Sequence, residues 1–340
     1  MSLVLVSFTP LESSGGVPRF NRDLASCFHG AKHFSWWDFP EHDTYQTYEW
    51  DRAKILSRYL LWTKKVKPKD VVVADSFWAD GFDPRKTVCV RHGIWSHSTK
   101  DDVDSGKAAD FPLHHAAQVA HTKRHLAAGG KLVAVSDFVS EQMTLQWNFP
   151  STVINNSIDL NSFKPPISKL KLDKPLVIHG VTNANKGFEH IEAVKDVLGD
   201  EADVLLLDDA ARKFGIDKYE VLGNATMVVQ PSAYEGNSFF VLECLACDVP
   251  IVAYNVGLLH SLSKICKSEG DKECCVGAII DRKYRSPKET AKVSKFIFDS
   301  IVRERSMYQP RKAACHFSKE RFSTEWESFL KENYGMHFTS

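Results

Sequence analysis

Two carboxylates mark the segment 228–255, which reads VVQPSAYEGNSFFVLECLACDVPIVAYN. Glu235 lies in a polar loop after an apolar run, and Glu243 follows inside a stretch with helical character. Backbone N–H groups at the start of such a helix can bind an anion, and here they belong to Gly236, Asn237, Ser238 and Phe239. One acid could contact a group in a crevice and the other a polyhydroxyl group beside it. Alternatively, both acids could simply stabilise the helix dipole.

Two further turns carry residues suited to binding an anion. In SSGGVPRF, Gly15 and Gly16 precede a predicted helix, where glycines let backbone N–H groups approach a phosphate closely. Lys186 directly precedes Gly187 at a second strand-to-helix junction, from which an ammonium group can reach a phosphate. The dinucleotide-binding fingerprint G-x-G-x-x-G is absent. Taken singly, each turn is more simply explained as an ordinary loop.

Three patterns resemble metal sites, but their surroundings argue against metal binding. Cys244 and Cys247 form C-x-x-C on an apolar helix, whereas structural zinc needs four ligands. His121 and His125 are four residues apart but lack the glutamate of a zinc-protease helix. The segment 102–104 is Asp-Val-Asp within a charged loop. We therefore predict no bound metal and no cofactor, and we expect the eight cysteines to be free thiols.

The candidate residues follow apolar runs in a chain that alternates strand with helix. Continuous apolar strands separated by helices are typical of parallel sheets covered on both faces. The alternation stops at 158–175, which holds three prolines and predicts a linker. We expect an α/β protein with an N-terminal domain at 1–165, a C-terminal domain at 166–315, and a last helix within 316–340 that crosses back. Ligands of such sheets bind beyond the carboxyl ends of the strands.

Composition restricts the partners and the location. Of 340 residues, 43 are Lys or Arg and 43 are Asp or Glu, so no bulk attraction to nucleic acid or anionic membrane is indicated. No apolar window approaches the roughly 20 residues that span a bilayer. The N-terminal segment lacks a basic leader. These features predict a cytoplasmic protein without an integral membrane segment.

Taken in order, the segments of this chain resemble the retaining glycosyltransferases of family 4. The resemblance covers nearly the whole chain, and its parts are SSGGVPRFNRDLA, CVRHGI, LVAVSDFVSEQM, VINNSIDLNSFKP, NKGFEHIEAV and PSAYEGNSFFVLECLACDVPIVA. Each part is weakly specific, whereas the ordered set is strongly so. The resemblance implies a GT-B fold, in which two Rossmann-like, doubly wound domains face each other across a cleft.

The resemblance also implies a role for each matching residue. The Gly15–Gly16 turn and Lys186 would bind the diphosphate of a nucleotide-sugar donor. His92 would lie beside the donor sugar as a catalytic residue. Glu235 would contact the sugar hydroxyls and act in catalysis, and Glu243 would contact the ribose.

This sequence departs from the family pattern at the diphosphate site. Val181 follows the strand glycine where the family has an arginine. Arg19, Arg91 or Arg212 would have to supply the missing charge, and we place Arg19 and Arg212 among the donor-binding candidates. The segment between residues 208 and 227 is also short, so the identity of the nucleotide stays open.

The activity implied is transfer of a sugar from a nucleotide sugar to a glycan, protein or other hydroxyl acceptor, with retention of configuration and without a metal. The first domain would take the acceptor and the second the donor. Double displacement through Glu235 and a front-face route assisted by the leaving phosphate both fit the sequence. The alternatives are transfer to modified DNA bases, a nucleotide-sugar epimerase or hydrolase on the same fold, and a non-catalytic carbohydrate- or nucleotide-binding protein.

Overall fold

A computed structural model of the chain describes residues 1–45, 47–93, 111–167, 170–181, 186–268 and 276–338. By its contacts the chain divides into two compact units. Within the described residues, the first unit runs to Ser157 and takes in the final segment from Lys319, and the second unit is Ile158–Ser318.

The first unit is a six-stranded sheet with the order β2-β1-β3-β4-β5-β6, and every neighbouring pair is parallel. Its strands are β1 (Leu3–Ser7), β2 (Lys32–Ser35), β3 (Val71–Asp75), β4 (Thr87–Arg91), β5 (Lys131–Ala134) and β6 (Thr152–Val153). Its helices are α1 (Gly16–Cys27), α2 (Glu49–Trp62), α3 (Phe111–Ala127), α4 (Asp137–Trp147) and, from the end of the chain, α12 (Lys319–Tyr334).

The second unit is a five-stranded sheet with the order β11-β10-β9-β7-β8, again parallel throughout. Its strands are β7 (Leu176–His179), β8 (Asp203–Leu206), β9 (Met227–Gln230), β10 (Ile251–Tyr254) and β11 (Gly277–Ile280). Its helices are α5 (Phe188–Leu198), α6 (Leu207–Phe214), α7 (Lys218–Asn224), α8 (Phe239–Ala246), α9 (Leu258–Ser268), α10 (Pro287–Arg303) and α11 (Pro310–Ala314).

Burial on both faces explains why the strands read as unbroken apolar runs. In β10, Ile251 and Ala253 pack into one hydrophobic cluster, while Val252 and Tyr254 pack into a second. Successive side chains of a strand point to opposite faces, so both faces of this sheet are covered. The predicted α/β class with two parallel, doubly wound sheets is confirmed.

The structure corrects two predicted strands. The run 202–208 was expected to be a strand followed by a loop, but β8 ends at Leu206 and α6 begins at Leu207. The run 33–39 was expected to be a strand, but Trp36–Asp38 forms a 3₁₀ turn. In that turn Asp38 accepts hydrogen bonds from the backbone N–H and the hydroxyl of Ser35, a capping box that ends the strand.

Two smaller corrections concern a cap and the elements near the end of the second sheet. The sequence predicts Asp137 as the cap of α4, but Ser136 caps this helix, because its hydroxyl accepts a hydrogen bond from Val139 N. The helix α9 and the strand β11 were not predicted. The strand β11 contains a glycine and two β-branched residues in only four positions, too short a run to stand out by pattern.

One cysteine departs from the expected thiol chemistry. Cys266, in α9, is disulfide-bonded. The prediction of free thiols throughout is therefore wrong at this position. Elsewhere in the described part, no disulfide is formed by Cys27, Cys89, Cys244, Cys247 or Cys315.

No helix in the described part of the chain is long and apolar enough to cross a bilayer.

Candidate functional site

Lys186 and Glu235 form an ion pair at the carboxyl edge of the second sheet. The Lys186 ammonium donates to Glu235 Oε1, with the two side chains 33% and 13% exposed. Lys186 comes from the β7–α5 connection and Glu235 from the β9–α8 connection. Because β7 and β9 are neighbours in a parallel sheet, their carboxyl ends bring the two loops together. The sequence places these residues 49 positions apart, and the fold pairs them.

Two glycines allow this close approach. Gly187 has φ +91°, and a Cβ on it would lie 2.8 Å from the carbonyl oxygen of Pro231. Gly257, after β10, has φ +54°, and a Cβ there would lie 2.9 Å from Glu235 O. A side chain at either position would combine backbone strain with a steric clash. The loop that carries Glu235 is thus packed against backbone on two sides.

The helix after Glu235 begins as the sequence predicts. Ser238 caps α8 by accepting a hydrogen bond from Val241 N at 3.4 Å. Asn237 is buried, Gly236 is half-buried, and Phe239 is the first helical residue. Glu243 is half-buried and lies four residues after Phe239, so the two occupy the same face of the helix.

The position at which the family has an arginine is occupied here by a buried apolar residue. Val181 is 2% exposed and packs in a hydrophobic cluster of the second unit. Beside it, a Cβ on Gly180 would lie 3.0 Å from the Phe240 ring and 3.2 Å from Gln230 Oε1. Gln230 Oε1 also accepts a hydrogen bond from Gly180 N at 3.3 Å. The strand end is therefore filled by apolar and neutral groups.

Of the arginines considered as replacements, Arg91 is fully buried in the first unit. Its guanidinium donates to Ser76 Oγ at 2.7 Å and also to Thr122 Oγ1. It lies 3.2 Å from His121 Nδ1, and burial, followed by the Arg91 charge, lowers the pKa of His121 to about 2. Arg91 therefore stabilises the interior of this unit, and a phosphate has no access to it.

The other two candidate arginines lie on helices. Arg212 is on α6, is 78% exposed and pairs with Asp209 one turn earlier. Arg19 is half-buried in α1, where its backbone N–H donates to Gly15 O at 3.3 Å.

Two arginines that sequence reasoning missed, Arg282 and Arg285, follow β11 at the same edge of the sheet. Arg285 Nε donates to Pro231 O at 3.4 Å, which places its guanidinium beside the loop of Glu235. The segment DRKYR was a visible basic cluster. No functional role was predicted for this segment, because the strand before it was not recognised in the sequence.

The carboxyl edge of the first sheet carries His92, held by a carboxylate. His92 Nε2 lies 2.7 Å from Asp75 Oδ1, and the side chains are 20% and 7% exposed. Asp75 Oδ2 accepts from Asn21 Nδ2 at 2.8 Å, and the Phe20 ring packs edge-on against the imidazole at 4.9 Å. Asp75 was not predicted. The available signal was an acidic residue, Asp75, at the end of a buried strand that neighbours the strand before His92.

The Gly15–Gly16 turn lies at the start of α1, as predicted. Gly15 is the N-cap and has φ +116°, a conformation that favours glycine, and both glycines are exposed. Nearby in the same unit, His33 Nε2 lies 2.8 Å from Ser7 Oγ, and burial lowers the pKa of His33.

Within the described residues, the side chains that resembled metal ligands are buried and make structural contacts. Cys244 and Cys247 lie in a hydrophobic cluster of the second unit, and burial raises the pKa of the Cys244 thiol. His125 Nε2 lies 3.1 Å from Lys131 O. The Asp-Val-Asp segment 102–104 lies outside the described residues.

Comparisons with known proteins yield structural matches only. No protein-family model matches the chain, and no curated protein matches it. Sucrose-phosphate synthase from Thermosynechococcus elongatus superposes with a TM-score of 0.71 at 14% identity, covering 98% of this chain and 100% of its own. A glycosyltransferase from Rickettsia africae ESF-5 gives 0.62 at 14% identity, with 98% of each chain covered. HepE from Anabaena, solved with UDP, gives 0.64 at 13% identity, covering 98% and 100%.

At such low identity these matches show the fold. This chain has the GT-B fold.

Proposed function

We propose that this protein is a glycosyltransferase that moves a sugar from a nucleotide-sugar donor to a hydroxyl acceptor, with retention of configuration and without a bound metal. The observation that carries the proposal is the Lys186–Glu235 pair at the carboxyl edge of the second sheet. A cation and a carboxylate that share one sheet edge match the two parts of such a donor, its diphosphate and its sugar hydroxyls.

The GT-B fold supports this proposal by analogy. HepE from Anabaena, with the same fold, was solved with UDP and with UDP-glucose. Ligands of parallel α/β sheets bind beyond the carboxyl ends of the strands, where Lys186 and Glu235 lie. The capped start of α8 adds backbone N–H groups that favour an anion.

In the proposed reaction, the bond between the anomeric carbon and the phosphate oxygen breaks, and its electron pair goes to the leaving diphosphate. Lys186 neutralises part of the charge that develops there, so the site itself supplies a cation. Glu235 stabilises the positive charge that develops on the sugar. The acceptor oxygen then bonds to the anomeric carbon on the face that the phosphate leaves.

The ion pair favours the front-face route over double displacement. A carboxylate that accepts from an ammonium group is a weaker nucleophile than a free one, because the cation stabilises its charge. In the front-face route the acceptor proton goes to the departing phosphate oxygen, and Glu235 forms no covalent bond.

The first unit contributes His92 as the proposed contact to the sugar. Asp75 is a positioning residue in this scheme, since its carboxylate fixes the ring nitrogen that faces it and therefore the orientation of the imidazole. The partners are thus a nucleotide sugar and a glycan or other hydroxyl acceptor. The balanced charge of the chain gives no support for nucleic acid as the acceptor.

The proposal is tested by thermal shift with UDP-, GDP-, ADP-, CMP- and dTDP-sugars, starting with the uridine donors. The donor that stabilises the protein is then incubated with candidate acceptors, and NMR of the product reads the anomeric configuration. A retained configuration, with turnover that persists in EDTA, is expected. Donor consumption without an acceptor would instead indicate a hydrolase or epimerase, and binding without turnover a non-catalytic protein.

Single-residue variants locate the site. Lys186→Ala and Glu235→Ala should each lower turnover by roughly 10²–10³-fold, as removal of a transition-state contact does. The matched control is Lys195→Ala on α5, an exposed lysine that pairs with Glu192. Full activity in both site variants would refute the assignment.

A further inference from the structure

Arg285 and the residue next to Lys186 pack against the same backbone carbonyl. Arg285 Nε donates to Pro231 O at 3.4 Å. The same oxygen would lie 2.8 Å from a Cβ on Gly187. A connection that carries a lysine and one that carries an arginine therefore meet on the loop after β9. The connections of both cations thus contact the chain segment that leads to Glu235.

The structure holds Arg285 in place. Its guanidinium carbon lies 6.0 Å from the centre of the Tyr254 ring, within the range of a cation–π contact. The Tyr254 hydroxyl accepts from Ser286 N at 3.1 Å and lies 2.8 Å from Thr290 Oγ1. Ser286 in turn caps α10 by accepting from Glu289 N. This anchoring lowers the entropy cost of ordering the side chain for a ligand.

The charge of Arg285 is not neutralised locally. Within the described residues, no carboxylate oxygen lies within 4.0 Å of its guanidinium, and its two terminal NH₂ groups make no hydrogen bond. His190 on α5 lies nearby as a neutral group, because burial and then the Arg285 charge lower its pKa to about 4. Arg282 adds a second positive charge, which interacts with Arg285 and with Tyr234. The neighbourhood therefore favours an anion.

A diphosphate carries more negative charge than Lys186 alone can balance, particularly since Lys186 is paired with Glu235. The family position for a second cation is occupied by the buried Val181. We propose that Arg285, reaching in from the loop after β11, is the second diphosphate-binding cation of this protein and does the work of the absent arginine. This inference rests on the proposed donor site in the second unit.

The chemistry of the side chain fits the role. With Nε held by Pro231 O, the terminal NH₂ groups remain for a phosphate, and a planar guanidinium can bind two phosphate oxygens at once. A lysine at the same place would carry the charge but would lose the paired geometry. The contribution of Arg285 is therefore distinguishable from that of a general positive charge.

Isothermal titration calorimetry with inorganic pyrophosphate, UDP, GDP and ADP tests the proposal. Arg285→Met should weaken binding of pyrophosphate and of the preferred nucleoside diphosphate by about tenfold to a hundredfold, the worth of a charge-assisted hydrogen bond. Arg285→Lys should recover only part of this loss. Arg303→Met, which removes an exposed arginine of α10, should keep the affinity of the unmodified protein.

The outcomes separate this inference from the proposed function. If Lys186→Met loses affinity and Arg285→Met keeps it, the role of Arg285 is refuted while the donor site stands. If the unmodified protein binds none of the four probes, the donor site fails, and the inference fails with it. Circular dichroism checks folding. If Arg285→Met fails to fold, Arg285→Lys provides the test. Full pyrophosphate affinity in Arg285→Lys would refute the proposed contact of the guanidinium with two phosphate oxygens.

Discussion

The carboxyl edges of the two sheets differ in how their polar groups are satisfied. In the first unit the groups pair with one another, as Ser7 does with His33 and Asp75 with His92. In the second unit Lys186 pairs with Glu235, and no carboxylate in the described part of the chain lies within 4.0 Å of Arg285. One parallel-sheet architecture therefore presents two kinds of surface, one close to neutral and one cationic.

The difference shows that the fold provides the position while the residues provide the chemistry. Both edges collect loops from neighbouring strands, as all open parallel sheets do. An edge whose polar groups pair with one another suits neutral hydroxyl groups, whereas an edge with excess cations suits phosphates. Under the proposed function, the cationic edge would bind the donor diphosphate and the first unit would take the acceptor. Four predictions test this comparison.

Among these four predictions, the largest expected effect comes from breaking the pair in the first unit. Asp75→Asn should lower kcat by about tenfold to a hundredfold, because the imidazole of His92 loses the carboxylate that orients it. KM for the donor should stay unchanged, since neither Asp75 nor His92 is among the residues proposed to bind the diphosphate. Steady-state kinetics across pH 5–9 measures both constants. Asp38→Asn, in the 3₁₀ turn after β2, is the control. A change in donor KM alone would contradict the positioning role.

The second prediction perturbs the cationic edge through its backbone. Gly187→Ala should lower both donor affinity and thermal stability, because a Cβ would meet Pro231 at 2.8 Å in a positive-φ conformation. We expect a cost of about 1–3 kcal/mol for the overpacking, in addition to the backbone strain. Gly215→Ala is the matched control, since Gly215 has φ +66° with nothing within 4 Å of an added Cβ. Equal melting temperatures for the two variants would rule out the close approach.

The third prediction compares the acid stability of the units. Burial lowers the pKa of His121 in the first unit to about 2, and those of His179 and His190 in the second to about 4. The unfolded chain therefore binds protons at higher pH than the folded one, so this stability is complete above pH 6.5 and falls as the pH decreases. Each residue should contribute up to about 2 kcal/mol of loss between pH 6.5 and 5.

Thermal unfolding from pH 7 to 5 measures this loss. His121→Gln should reduce the pH dependence of the first unit, where Arg91, His125, Arg124 and Lys54 disfavour the charged imidazole. His190→Gln should do so in the second, where Arg285 acts in the same sense. Stability that rises on acidification would contradict the buried neutral state of these histidines.

The smallest effect is expected at Arg212. Its guanidinium is 78% exposed and pairs with Asp209 on the same helix, and such surface pairs contribute only about 0–1 kcal/mol. Arg212→Ala should therefore change the melting temperature little and leave diphosphate affinity within about twofold, an energy difference near 0.4 kcal/mol. Isothermal titration calorimetry that compares Arg212→Ala with Arg285→Met shows which of the two arginines contributes to diphosphate binding. A larger loss at Arg212 would reverse the assignment.

Patterns in the sequence were sufficient for the helices and strands with long apolar runs. The strands β1, β3, β9 and β10 and the helix α8 were predicted because their runs are continuous and bounded by turn residues. The end of β8 was misplaced because the apolar run continues through Leu207, which already belongs to α6. The strand β11 was missed because it begins with Gly277 and Ala278, which leaves only two large apolar residues.

For the site, the sequence marked Glu235, Lys186 and His92 through their places after apolar strands. It could not show that Lys186 pairs with Glu235, since that contact joins loops from two strands that become neighbours only when the sheet forms. Arg285 was missed because the strand before it was not recognised, and Asp75 was missed because the sequence does not show that its strand lies beside that of His92.

The sequence by itself determined the α/β class, the order of the main elements and the residue types at the strand ends, because apolar periodicity and turn chemistry are local properties. Tertiary structure alone decided which strand ends are neighbours. It thereby decided that Val181 is buried, that Asp75 holds His92, and that Arg285 shares a carbonyl with the Lys186 loop. The physical reason is that parallel strand order and long-range packing depend on contacts between distant segments, which no local pattern encodes.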